Sequence, residues 1–218
     1  MSDLRDFSWL AQALVEKTIT KKELLTLVEN DFNLIPLLFM GVASSKAAVR
    51  YGCAKVLMDL SEEYPEKLYQ HFNFFVDMLD SNYRILIWNA LAIIANLSQV
   101  DTDQKFDSIF DTYYKFLDND YMVTVANVVG NSVTIASAKP YLIPKITDEL
   151  LKVKDVSITP HLTEECKRVI VQHVINSFDS FFDKIDQKEK VLSFVEDYVD
   201  SPRNKLKVVA QNFLERWR

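Results

Sequence analysis

Three glycines in 218 residues leave too few freely turning positions for a loop whose backbone N–H groups cradle a phosphate. Cysteine is almost as scarce. Cys53 and Cys166 lie far apart in the chain, with no CxxC pair and no spacing that suggests a disulfide framework, so a reducing compartment suits them. The three histidines, His71, His161 and His173, are scattered. None stands in an HExxH or in a His–Glu pair of metal-binding spacing. His161 lies near Glu164, Glu165 and Cys166, but that spacing matches no metal-site signature. The sequence therefore offers no catalytic residue, no metal site and no cofactor site.

A long apolar run is also missing. The longest, Ile85 to Leu97, is interrupted by Asn89 and Asn96 and is too short to cross a bilayer core of about 30 Å. The N-terminal stretch MSDLRDFSWLAQALVEK is acidic and amphipathic, unlike the basic start and continuous apolar core of a signal peptide. Excess positive charge is lacking too: the formal net charge is −6 and the pI near 5.2. The overall field repels phosphate, which argues against nucleic acid and anionic membranes as partners. The expectation is a soluble, cytoplasmic protein whose partner is another protein or peptide.

What the chain does have is a recurring apolar face. Val49-Arg50 with Cys53 and Val56-Leu57 is followed by Leu86-Ile87 with Ala90 and Ile93-Ile94, then by Thr124-Val125 with Val128. Lys167-Arg168 with Val171 and Val174-Ile175, and Leu206-Lys207 with Ala210 and Phe213-Leu214, complete the series. The starts fall 37, 38, 43 and 39 residues apart. A period near forty with one helix pair per copy predicts an α-solenoid, because no single pair can bury its apolar face without a stacked neighbour.

Each copy reads as two helices. Phe32 to about Ala43 pairs with Lys46 to Glu62, and a helix opened by Pro65 and ended by Asp80-Ser81-Asn82 pairs with Arg84 to Ser98. Thr102 to Leu117 pairs with Tyr121 to Ser137. Lys139 to Val153, with Pro144 kinking it or opening a new first turn, pairs with a helix begun by Thr163. Asp186 to Tyr198 and Pro202 to Trp217 end the array. The link from Lys154 to Leu162 is long and is expected to be flexible or to contact a partner. Ahead of the array, Leu4 to Lys17 and Thr20 to Asn30 form a helical cap. The organisation expected is a cap over residues 1–31 and one continuous array over 32–218.

The strings IPLLFMGVASSKAAVRYGCAKVLMDLS (35–61) and FVDMLDSNYRILIWNALAIIANLS (75–98) resemble HEAT repeats and, in the ANLS ending, armadillo repeats. Val49-Arg50 and Leu206-Lys207 match the Val-Arg opening of the second helix in that family, whereas Ile87 and Val125 replace the basic residue in copies two and three. The resemblance implies an all-α, right-handed α-α superhelix of about five HEAT-like helix pairs behind the cap. It further implies that the second helices line a concave, partner-binding side.

The candidate contacts lie on those second helices. In copy two, Leu86, Ala90, Ile93, Ile94 and Leu97 take the core stripe, leaving Ile87, Trp88, Leu91, Ala92 and Ala95 opposite. In copy three the corresponding set is Val125, Ala126, Val129, Gly130 and Val133. A helix apolar all round is either buried on both sides or presents a sticky groove. Asn89, Asn96, Asn127 and Asn131 add amides that can hold an extended peptide backbone, as the armadillo resemblance implies, or can satisfy carbonyls between helices. Basic residues gather at the two ends: Lys46, Arg50 and Lys55 in one, and Lys167, Arg168, Arg203, Lys205 and Lys207 in the other. The site expected from sequence is thus Trp88, Asn89, Leu91, Asn96, Asn127 and Asn131, flanked by Arg50, Arg168 and Lys207.

Two functions compete at this point. One is a non-enzymatic interaction module or scaffold that binds a partner peptide or helix on its concave face. The other is a nucleic-acid-binding or DNA-repair protein of the HEAT-like alkylpurine glycosylase type, which needs a basic channel and a carboxylate near an extruded base. The apolar central positions and the acidic balance favour the first.

Overall fold

The computed structural model describes residues 6–218, and among them the regular structure is helical, with one isolated bridge between Thr159 and Leu162 and no strand. The chain divides into two compact units, Met1–Val100 and Asp101–Arg218. The expectation of one array over 32–218 behind a cap at 1–31 does not mark that division.

In the first unit, the helix expected from Leu4 has its opening residues outside the described ones. Its described part, α1 (Phe7–Glu16), is capped by Asp6, whose carboxylate accepts the Trp9 N–H at 2.8 Å. Next, α2 (Lys21–Asn30) opens with a capping box: the Thr20 hydroxyl takes the Glu23 N–H while the Glu23 carboxylate takes that of Thr20. These two helices pack on α4 (Ala47–Glu63), which α3 (Ile35–Val42) also covers. The α3–α4 approach is close because Gly41 has no side chain: a Cβ there would overlap the Cys53 sulfur. The single helix expected from Pro65 is instead α5 (Pro65–Leu68) and α6 (Phe72–Asp77), separated and followed by tight 3-10 turns. It packs on α7 (Arg84–Leu97), which lies against α4. Val49, Cys53, Val56 and Leu57 of α4 and Ala90, Ile93, Ile94 and Leu97 of α7 are all fully buried.

The second unit repeats the plan. Its first helix, α8 (Lys105–Tyr114), begins three residues later than Thr102 because the Asp101 carboxylate takes the N–H groups of Lys105 and Phe106, with Gln104 in a left-handed turn at φ 55°. After α9 (Met122–Ala138), a 3-10 turn leads into α10 (Ile143–Leu151), with Pro144 in the first turn, where its missing N–H costs nothing. Thr163 caps α11 (Glu164–Phe181) by accepting the Cys166 N–H at 3.3 Å. The unit closes with α12 (Lys188–Glu196) and α13 (Asn204–Trp217). The second helices α9, α11 and α13 pack side by side. Ser177 of α11 donates to the Val129 carbonyl of α9 at 3.1 Å, while Arg216 and Trp217 of α13 donate to Asp179 of α11 at 2.6 and 2.7 Å.

The 154–162 link, expected to be flexible or to contact a partner, makes contacts within the chain. Thr159 and Leu162 exchange two backbone hydrogen bonds of 3.0 and 3.2 Å. The Thr159 hydroxyl donates to the Asp120 carbonyl at 3.3 Å, and the His161 ring stacks on Tyr121 with centroids 4.7 Å apart. These contacts offset the ordering entropy that makes long links mobile.

Candidate partner-binding face

A helix in a stacked array keeps one narrow stripe clear of its neighbours, and only residues on that stripe can meet a partner. On α7 the stripe holds Trp88 and Ala92, both partly exposed, with Arg84 and Ile85 at its start. Leu91 is fully buried and Asn89 is nearly so, which corrects their placement among the contacts. Ala95 is buried as well. The stripe is narrower than the sequence suggests because α4 covers one flank of α7 while α5 and α6 cover its core face.

Copy three shows the same correction. Val125 and Val129 of α9 are fully buried, whereas Val123 and Gly130 are exposed and Ala126, Asn127 and Val133 partly so. Most of the candidate asparagines serve the fold. The Asn96 amide donates to the Ser61 hydroxyl of α4 at 2.9 Å, and Asn127 donates to the Val123 carbonyl one turn back at 2.8 Å. Asn131 faces the buried Tyr113 hydroxyl, whose ionisation burial pushes well above the ordinary range, with the Asn131 hydrogen bond working the other way.

Arg50 is also an internal group. It is 6% exposed, donates to the carbonyls of Ser44 and Ser45 at 2.8 and 3.1 Å, and lies 3.7 Å from the centre of the Tyr83 ring. The guanidinium thus ties the α3–α4 turn to the start of α7 instead of facing a partner. Arg168 and Lys207 remain near the surface, each with a carboxylate: Glu165 at 3.4 Å and Asp200 at 3.5 Å. Glu165 also accepts from Arg203, the larger reason its carboxyl lies below the usual range, with Arg168 adding to the effect.

Sequence reasoning missed the polar residues of the last two second helices. His173 and Asn176 on α11 and Asn212 on α13 lie exposed on the clear stripes, while Gln172 beside them is partly covered and accepts from Arg203 at 3.4 Å. The signal was available, since Gln172 and Asn176 are four apart, as are Val208 and Asn212, on the side opposite each core stripe. Asn176, Asp179, Asn212 and Arg216 line a hollow of about 150 Å³ between α11 and α13, together with Ile175, Val209 and Phe213. A larger hollow, about 530 Å³, lies by α8 and α10 among Asp111, Lys115, Glu149 and Lys152. Tyr114, at its wall, is engaged with the Ser132 hydroxyl 3.0 Å away. Among the described residues no three His, Cys, Asp or Glu side chains are gathered as a metal ion needs, and no single helix is long and apolar enough to cross a membrane.

The two thiols differ. Burial pushes Cys53 up to about 12, so at neutral pH it is a protonated core group, whereas Cys166 is only partly covered. In the folded protein one thiol, Cys166, is expected to react with a bulky disulfide reagent at pH 8, and Cys53 only after denaturation. Two fast-reacting thiols in the native state would mean that α4 opens readily.

Compared with solved structures, the chain is similar over its whole length to the designed armadillo repeat protein YIII(Dq)4CqI, with a TM-score of 0.65 and 16% identity, covering 96% of that chain. The fold is an armadillo-like helical repeat. A second similar structure is the designed armadillo repeat protein YIII(Dq.V1)4CPAF in complex with the peptide (KR)4, with a TM-score of 0.62 and 16% identity over 97% of this chain and 92% of that one. No family model matches the sequence, and a search of curated proteins gives no significant match. The armadillo-like fold agrees with the α-solenoid that the forty-residue period predicts and with the all-α repeat superhelix that the resemblance implies.

Proposed function

We propose that this protein is a non-enzymatic interaction module whose second helices receive a peptide or helix of another protein, with residues 1–31 acting as a cap on the repeat array. The observation that carries this reading is the composition of the clear stripes. They present Trp88 and Ala92 on α7 and His173 among amide, small and aliphatic side chains on α9, α11 and α13. The armadillo-like fold supports it, since one protein of that fold is held in complex with a peptide.

Trp88 is the anchor in the first unit. A partly exposed indole beside a small residue has the character of the aromatic side chains that dominate many interfaces. Trp88→Ala is expected to weaken partner binding by about 2 kcal/mol, roughly 30-fold, while costing much less in folding stability. The measurement is a titration of the partner, identified by affinity purification, against wild type and variant, alongside urea unfolding of both. A stability loss of about 3–5 kcal/mol with unchanged binding per folded molecule would make Trp88 a core residue and remove it from the interface.

A further inference from the structure

The first helices of the second unit carry a feature that the second-helix stripes do not use. The hollow by α8 and α10, about 530 Å³, has the size of a small-molecule site, roughly 300–1,000 Å³. Tyr114, Leu117 and Val156 supply its carbon surface, and the Tyr114 hydroxyl is already engaged by Ser132.

The two walls are built alike. On one, α8 runs into a 3-10 turn at Lys115–Asp118, and on the other α10 runs into a 3-10 turn at Lys152–Asp155. Each wall brings two carboxylates and one lysine to the hollow: Asp111 and Asp118 with Lys115, and Glu149 and Asp155 with Lys152. Lys152 pairs with Glu149 at 2.6 Å, whereas Asp111, Asp118 and Asp155 make no ion pair among the described residues. One negative charge is left over on each wall.

These carboxylates stand where the fold gains nothing from them. Asp118 and Asp155 close the turns that follow the C-terminal ends of α8 and α10, where the helix dipole disfavours an anion and favours a cation. Their side reaches the nearby phenols. Burial, opposed by the Ser132 hydrogen bond and reinforced by Glu149, pushes the Tyr114 phenol above its ordinary range. Burial first, then Asp197 and Asp155, does the same at Tyr198. The two lysines therefore do not cancel the negative field. No three carboxylate, imidazole or thiol groups are gathered for a metal ion among the described residues, so a bare divalent ion is a poor match.

Two negative walls beside a carbon surface fit a chain of methylenes with an ammonium at each end. We propose that the hollow between α8 and α10 binds a linear aliphatic diamine or polyamine. One ammonium meets Asp111 and Asp118, the other meets Glu149 and Asp155, and the methylenes lie on Leu117 and Val156. Alkyl ammonium groups keep their proton at neutral pH, and a monoamine would satisfy one wall only. The site stands apart from the interaction-module reading, whose failure would leave it untouched.

The test is calorimetric titration of the full chain with putrescine and spermidine at low ionic strength, compared with n-butylamine, magnesium ion and tetralysine. The two polyamines should saturate a single site per chain, and n-butylamine should bind at least tenfold more weakly. Asp118→Asn and Asp155→Asn should each raise the putrescine Kd tenfold or more. Their thermal midpoints should stay at or above the wild-type value, because each removes a carboxylate from the negative end of a helix. Val156→Trp, which fills the hollow, should abolish binding with every carboxylate in place. Equal binding of n-butylamine, displacement of putrescine by an equal concentration of magnesium, or a Kd indifferent to the three variants overturns the site. Absence of saturable heat overturns it as well. Tetralysine binding more tightly than putrescine, and lost in the same variants, would give the hollow to a partner's lysines and overturn the small-molecule assignment.

Discussion

Lys139→Ala is expected to destabilise the second unit by about 3–5 kcal/mol, the cost of stripping a buried carboxylate of its counter-charge. The Lys139 side chain is 5% exposed and that of Asp101 is 0% exposed. The ammonium bonds Asp101 and Asp107 at 2.9 Å each and the Tyr141 hydroxyl at 3.0 Å, while that hydroxyl in turn donates to Asp107. Asp101 also caps α8, so one interior carboxylate serves both a helix start and the residue that ends α9. Without Lys139 that charge stays inside. Asp107→Asn should cost less, since Asp107 keeps more contact with water.

The pH dependence has a definite sign. Burial disfavours the Lys139 ammonium, but its hydrogen bonds to Tyr141, Asp101 and Asp107 outweigh that cost and hold the amine above its ordinary value of 10.5. A folded-state pKa raised above the unfolded one gives stability that is fully present below 10.5 and fades only as pH climbs through the raised value. The Lys139→Ala difference in urea unfolding should therefore keep its size between pH 7 and 9 as far as Lys139 is concerned. A difference under about 1 kcal/mol would show that the network only balances its own desolvation.

The second large effect lies in the first unit. Leu57 of α4 and Ile94 of α7 are fully buried, and truncating either to alanine is expected to cost about 2–5 kcal/mol. The loss combines the transfer energy of the removed carbons with that of the cavity left behind, and α4 and α7 cannot close the gap without shifting along the rest of their contact. Urea unfolding reads both variants. Losses below about half a kcal/mol at both would show that the site collapses freely, against the close packing described here.

Local order along the chain was readable from sequence alone. The apolar face spaced by about forty residues picks out residues that are fully buried in every copy, among them Cys53, Ala90, Val128, Val171 and Ala210. Helical periodicity works here because one side of each second helix must meet its own first helix, whatever else happens. Proline and threonine were equally informative: Pro144 sits in a first turn and Thr163 caps its helix for reasons that involve only the adjacent residues.

What lies opposite the core stripe could not be read in that way. Leu91 and Ala92 are adjacent apolar residues, yet one is buried and the other partly exposed. Arg50 resembles a surface cation but closes over Tyr83 and two carbonyls, and the Asn96 amide is used up on Ser61. Whether a side chain on that flank meets solvent depends on how far the next helix leans over it, a few ångströms set by residues dozens of positions away. Sequence determined the helices, their caps and the buried face, because those follow from local propensity and from the burial of apolar surface at helical spacing. Only the tertiary structure decided which of the remaining amides, aromatics and cations are free to meet a partner, because that depends on which polar groups the neighbouring helices have already satisfied.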